Sequence, residues 1–186
     1  MSTDQDQSGA APPPQPAVEF TLRRIGVIRR TGGTEKLGPA RIEVEAQYRD
    51  GLLELAHFSH VLVVWWAHEC DNDMNRGTLR VRPRPAPDRL MGVFATRSPA
   101  RPNPIAVSVC RMLAVDETNG LVDVAELDAK DDSPVVDLKA YIPSSDRVRN
   151  PDIPPWFADL PEWAADGPQD IAAAESTASE TGSAAT

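Results

Sequence analysis

The residues best placed to do chemistry lie between Gly92 and Ile105, where Arg97 and Arg101 alternate with Pro99, Pro102 and Pro104. Three prolines in six residues fix φ and withhold three backbone N–H groups, which predicts a stiff, extended loop between two strands. A guanidinium on such a loop is pre-positioned to grip a carboxylate or a phosphate through two parallel hydrogen bonds. The same residues also suit a structural loop whose arginines cap carbonyls and pair with acids. Metal binding has little support, because strand alternation would put His60 and His68 on one face but roughly 26 Å apart along it. His57 falls at a helix end, and neither Cys70 nor Cys110 has a second thiol nearby in sequence, so no metal is expected. The spacing of a dinucleotide-binding turn is also missing: Gly32, Gly33 and Gly38 have no helix behind them, and Gly92 sits inside a strand signal.

Charge narrows the ligands. A net charge of -9 argues at first against a nucleic-acid partner. All 19 basic residues and 19 of the 28 acidic ones, however, fall between Glu19 and Arg149 and cancel, so the terminal segments carry the whole excess. Between Arg76 and Arg111 eight arginines are opposed only by Asp88, which makes that third of the chain locally basic and suited to an anionic or phosphate-bearing substrate. The alternative is that these arginines pair with the acidic stretch Asp116 to Asp137. Two cysteines without CxxC spacing, no signal-peptide pattern and no apolar run approaching roughly 20 residues predict a reduced, cytoplasmic protein outside the membrane.

The elements that must hold these residues are mostly strands. A chain of 186 residues fits one domain with tails. Residues 1–17 and the acidic residues 166–186 lack the large side chains needed to offset ordering entropy, and disordered tails are expected there. The domain is expected over 18–150. Residues 151–165, which interleave Trp156, Phe157, Leu160 and Trp163 with prolines and acids, read as a segment that docks on the domain or on a partner subunit. Strand patterns cover Phe20 to Ile28, Arg41 to Ala46, Ser59 to His68, Thr78 to Val81, Met91 to Ala95, Ile105 to Val115, Leu121 to Leu127 and Val135 to Ile142, with one short helix around Asp50 to Ala56. About eight strands with short connections predict a mainly β fold, a single small β-barrel with one short helix.

Four segments in order resemble the TsaA/TrmO family: Ile25 to Ile28; Phe58-Ser59-His60 and the apolar run to His68; Gly92 to Ile105; and Ser133 to Pro143. The resemblance spans roughly Ile25 to Asp146 and implies a β-barrel that dimerises and binds S-adenosylmethionine (SAM) near the subunit interface. It further implies methylation of N6 of threonylcarbamoyl-adenosine beside the tRNA anticodon. Carried over by position, the cofactor contacts would be Pro39, Ala40 and Arg41; His68 and Glu69; Arg97; Val107; and Asp128, Ala129, Lys130 and Asp131, with Arg97 clamping the cofactor carboxylate. Arg101 and Asn103 would meet the substrate. Asp137, His60 and Tyr141, in matching motifs, are the candidates for orienting or deprotonating it; His60 equally suits a core histidine, and Asp137 equally suits a brace for Arg101 or Lys139.

The chain departs from the family pattern in three places. Ala106 stands where glycine is usual, Asp131-Asp132-Ser133 replaces Asp-Gly-Thr, and Lys139-Ala140-Tyr141 replaces Lys-Pro-Tyr. Added bulk at Ala106 would narrow any close backbone approach there. Three readings follow: a tRNA N-methyltransferase, favoured by the arginine-rich third; a methyltransferase of a small molecule, favoured by the departures and the acidic tails; and a non-catalytic SAM-binding module.

Overall fold

The computed structural model describes residues 18–31, 37–161 and 163–164. Both expected tails lie outside these residues. In chain order the strands are β1 (Gly26–Arg30), β2 (Gly38–Val44), β3 (His60–Trp66), β4 (Arg80–Val81), β5 (Met91–Gly92), β6 (Ile105–Asp116), β7 (Leu121–Leu127) and β8 (Pro134–Ala140). Six of them close an antiparallel barrel in the order β1-β2-β7-β6-β3-β8. The other two, β4 and β5, form a separate two-stranded arm, because prolines at 83, 85 and 87 withhold the N–H groups that would extend their pairing.

Alternation builds the core. Val61, Val63 and Trp65 of β3 point inward with Ala40, Ile42 and Val44 of β2, Val122 and Val124 of β7 and Val135 of β8. Since β1 pairs with both β2 and β8, the barrel has no open edge. The hairpin between β6 and β7 turns at Gly120, whose φ of 74° is left-handed, and Asp116 accepts the Asn119 N–H at 2.9 Å.

The helix expected around Asp50 to Ala56 is instead two 3-10 turns, Ala46–Leu52 and Leu55–His57. Glu54 interrupts them in the left-handed region at φ 66°, which lets both Leu52 and Leu55 enter the core. Arg49 donates to the Thr118 carbonyl and Glu117 accepts the Glu54 N–H, so these turns close the barrel end that carries the β6–β7 hairpin. The loops that lead into β6 and out of β7 lie at the opposite end. Two four-residue helices complete the chain, α1 (Asp73–Arg76) after β3 and α2 (Pro143–Asp146) after β8.

Candidate functional site

Strand register sorts the sequence's candidates by barrel end. Trp66 pairs with Ile105 and His60 with Arg111, so the end of β3 leading to His68 and Glu69 is also where the proline-rich loop enters β6. Gly38 pairs with Leu127, which sets Pro39 at the start of β2 beside the loop from Asp128 to Asp131. Further bonds tie these loops together: Ser133 Oγ lies 3.2 Å from His68 Nδ1, Lys130 Nζ lies 4.0 Å from Glu69 Oε2, and Asp131 accepts the Arg30 N–H at 2.9 Å. Asp132, where the resemblance has glycine, takes a left-handed φ of 62° and pairs with Arg29; aspartate is among the few residues that tolerate that region. Ala40 and Ala129 are buried and offer only backbone to a ligand. Arg41 is engaged on the barrel's outside by Asp123 through two bonds of 2.7 and 2.9 Å, which hold the Asp123 carboxyl below its usual range.

The proline-rich loop is anchored at both ends. Val93 and Pro104 are buried, and the Pro104 carbonyl accepts the Ala67 N–H at 2.8 Å. Between them Arg101 turns inward and donates to the carbonyls of Ser98, Val93 and Thr96 at 2.8, 3.0 and 2.6 Å. Its Nε and Nη2 brace the loop, while the residue also lines the cleft described below. Arg97 is exposed and donates one bond, at 3.2 Å, to the Val107 carbonyl, leaving its remaining N–H groups for a ligand.

Arg97, Val107 and Asp128 line one cleft of about 1080 Å³ at this end of the barrel. Asp128 is positioned from the core: buried Trp65 donates to Ser108 Oγ at 3.0 Å, and that oxygen lies 2.6 Å from Asp128 Oδ1. No local pattern marks Ser108, because its partners are brought to it by strand pairing. The rest of the cleft comes from the β4–β5 arm, with Arg82, Arg84 and Phe94, and from Phe157 and Leu160 in the C-terminal segment. That segment is docked, with the Arg89 guanidinium 4.1 Å from the centre of the Trp156 ring. Sequence reading singled out the segment but had no means of seeing that it walls this cleft. Ala106 also lines the cleft and packs against the core, in register with Trp65.

The three candidates for proton transfer are not brought together. His60 and Tyr141 make a tilted ring contact, ring centres 6.1 Å apart, at the far end of β3, and His60 Nδ1 lies 2.8 Å from Ser59 Oγ. Six residues of strand, about 20 Å, separate them from Trp66 and the cleft. Asp137 lies on the outer face: it is paired with Val64, whose other neighbour is Val107, so Asp137 and Val107 are two strand spacings apart, about 9–10 Å. Its carboxylate touches Lys139 Nζ at 2.6 Å, which raises the lysine's pKa. Asn103 opens into a second hollow of about 850 Å³ beside Trp66 and the N-terminal segment. Cys110 is no nucleophile, since burial pushes its thiol up to about 12. Among the described residues, no cluster of three or more His, Cys, Asp or Glu could hold a metal.

Residues 24–147 match the tRNA-methyltransferase O N-terminal domain, and that stretch contains the whole barrel. The chain belongs to this family. An S-adenosyl-L-methionine-binding protein of Archaeoglobus fulgidus is 36% identical over 136 residues, 68% of this chain and 93% of that protein. The tRNA (adenine(37)-N6)-methyltransferase of Escherichia coli is 34% identical over 138 residues, 67% of this chain and 58% of the enzyme. The crystal structure of TrmO from Pseudomonas aeruginosa superposes with a TM-score of 0.58 at 26% identity, covering 73% of this chain and 61% of that one. The chain therefore spans under two thirds of the length of those last two TrmO relatives. Arg97, Val107 and Asp128 fall inside the TrmO domain, whereas Phe157 and Leu160, which line the same cleft, lie beyond it.

Proposed function

We propose that this chain is a SAM-dependent N-methyltransferase of tRNA, with N6 of threonylcarbamoyl-adenosine beside the anticodon as the acceptor atom. The observation that carries the reading is the meeting of Arg97, Val107 and Asp128, from three separate segments, in one cleft of a TrmO-family barrel. The residues suit the cofactor. Arg97 keeps free donors for a carboxylate, and Asp128, fixed by Ser108, can accept from ribose hydroxyls. SAM supplies a methyl group already activated by its positive sulfur. The chain then has to align the acceptor nitrogen with that methyl, keep water out and accept one proton from the nitrogen. Asp137 is the best placed of the three candidates to take the proton, being on the cleft's half of the sheet, whereas His60 and Tyr141 lie at the other end.

A homodimer in the cytoplasm completes the proposal. The outer face of β6 presents Val107, Val109 and Leu113 at 40, 36 and 54% exposure. These apolar side chains, with exposed Arg111 among them, suit contact with a second copy of the chain, and Val107 would put the cleft at its border. Among the described residues no helix is long and apolar enough to cross a membrane. The deciding experiment is mass spectrometry of tRNA nucleosides from cells with and without the gene. One added methyl on threonylcarbamoyl-adenosine, present only with the gene, is expected; identical nucleosides in both would overturn the assignment.

A further inference from the structure

The cleft has two halves of different origin. The barrel contributes the residues assigned above to the cofactor, while the β4–β5 arm and the C-terminal segment contribute Arg82, Arg84, Phe94, Phe157 and Leu160. Its volume of about 1080 Å³ is just above the range of about 300 to 1,000 Å³ usual for one small ligand, which leaves room for an acceptor beside the cofactor. Phe94 is 83% exposed although its backbone is held: Val93 beside it is buried, and the Val93 carbonyl accepts from Thr96 and Arg101. An exposed ring on an anchored support loses little freedom when a flat partner covers it. Arg84 is exposed and makes no hydrogen bond or ion pair among the described residues, and Arg82 spends only one nitrogen, on the carbonyls of Asp88 and Pro87.

An aromatic platform flanked by cations is the chemistry that binds an unpaired nucleic-acid strand, with the ring under a base and the guanidinium groups on phosphates. We propose that Phe94 recognises the acceptor: its ring stacks on an unpaired base of the RNA strand beside the reacting nucleotide, while Arg84 holds a neighbouring phosphate. This rests on the tRNA reading above. Because every base has a flat face, the contact contributes affinity and positioning without choosing a sequence. Phe157 and Leu160 supply an apolar wall to the same half, so part of the acceptor surface lies outside the family domain at 24–147.

The test compares the full-length wild type with Phe94→Ala, Phe94→Trp and Arg84→Gln. SAM affinity is measured by calorimetry, binding to an anticodon stem-loop by fluorescence anisotropy at several salt concentrations, and methyl transfer to total tRNA from cells lacking the gene. Phe94→Ala should weaken stem-loop binding and raise KM for tRNA roughly tenfold or more. SAM affinity should stay within about twofold, and Phe94→Trp should restore RNA binding. Arg84→Gln should flatten the slope of log K against log salt by roughly 0.7. Wild-type RNA affinity in Phe94→Ala would overturn the inference. So would a loss of SAM affinity in that variant, which would place the ring on the cofactor. A wild type that binds SAM but neither binds the stem-loop nor methylates tRNA would remove the tRNA reading and this inference together; with an active wild type, the variants bear on Phe94 and Arg84 alone.

Discussion

Two arginines four residues apart illustrate how environment assigns chemistry to identical side chains. Arg101 donates to three carbonyls of its own loop and braces it; Arg97, with one bond to Val107, keeps further donors that the proposed cofactor site would use. A charge-assisted bond to a buried-edge carboxylate is worth about 1.5–3 kcal/mol. Arg97→Ala should therefore weaken SAM binding roughly tenfold to a hundredfold. Because the side chain is exposed and its single bond is to a backbone carbonyl, the melting temperature should hardly change. Calorimetry alongside thermal melting checks both halves of the expectation, and unchanged SAM affinity in the folded variant would take Arg97 out of the cofactor site.

At the scale of elements, the barrel depends on close approaches that only particular residues permit. Gly26 opens β1 opposite Val44, and a Cβ added there would lie 2.5 Å from the Glu43 carbonyl oxygen, a backbone atom with no room to move away. Gly26→Ala should cost about 1–3 kcal/mol of stability by forcing β1 and β2 apart. Gly51, around which a Cβ would meet nothing within 4 Å, is the control, and Gly51→Ala should change stability by no more than about 0.5 kcal/mol. Urea unfolding of the two variants decides the matter; equal stabilities would mean that the strand pair can absorb the extra carbon. Since Gly26 does not line the cleft, SAM affinity of the folded Gly26→Ala protein should match the wild type.

For the whole molecule, the unmatched feature is the apolar outer face of β6. Strand β3 adds Leu62, Val64 and Trp66 to that face, bounded on β8 by Asp137 and Lys139, so two neighbouring strands are apolar on their outer side, an arrangement that a lone barrel in water does not need. Val109 lies within it at 36% exposure. If the proposed dimer forms through this face, Val109→Arg should convert it to monomer at micromolar concentration, because a charge buried at a symmetric interface would meet its own copy nearby. Light scattering reads the outcome, and a wild type that is already monomeric while binding SAM would reject the dimer.

Local periodicity determined most of the strands, because a strand buried on one face must alternate and a turn must recruit glycine, proline or aspartate wherever the backbone reverses. Val61, Val63 and Trp65 show the first rule and Gly120 the second. The stiffness of the Arg97–Arg101 loop was legible for the same reason, since proline acts on its own φ whatever surrounds it. Three things were settled only in three dimensions. Pairing of β3 with β6 divided the candidate residues between two barrel ends, leaving His60 and Tyr141 remote from Arg97. Left-handed Glu54 turned an expected helix into two 3-10 turns so that Leu52 and Leu55 could both reach the core. Phe157 was carried some 60 residues along the chain to face Phe94 and Arg97 across one cleft. Each depends on contacts between residues distant in sequence, and such contacts leave no period in the chain: periodicity records which face of an element is buried, and only closure of the barrel decides what that face, and the loops beyond it, will meet.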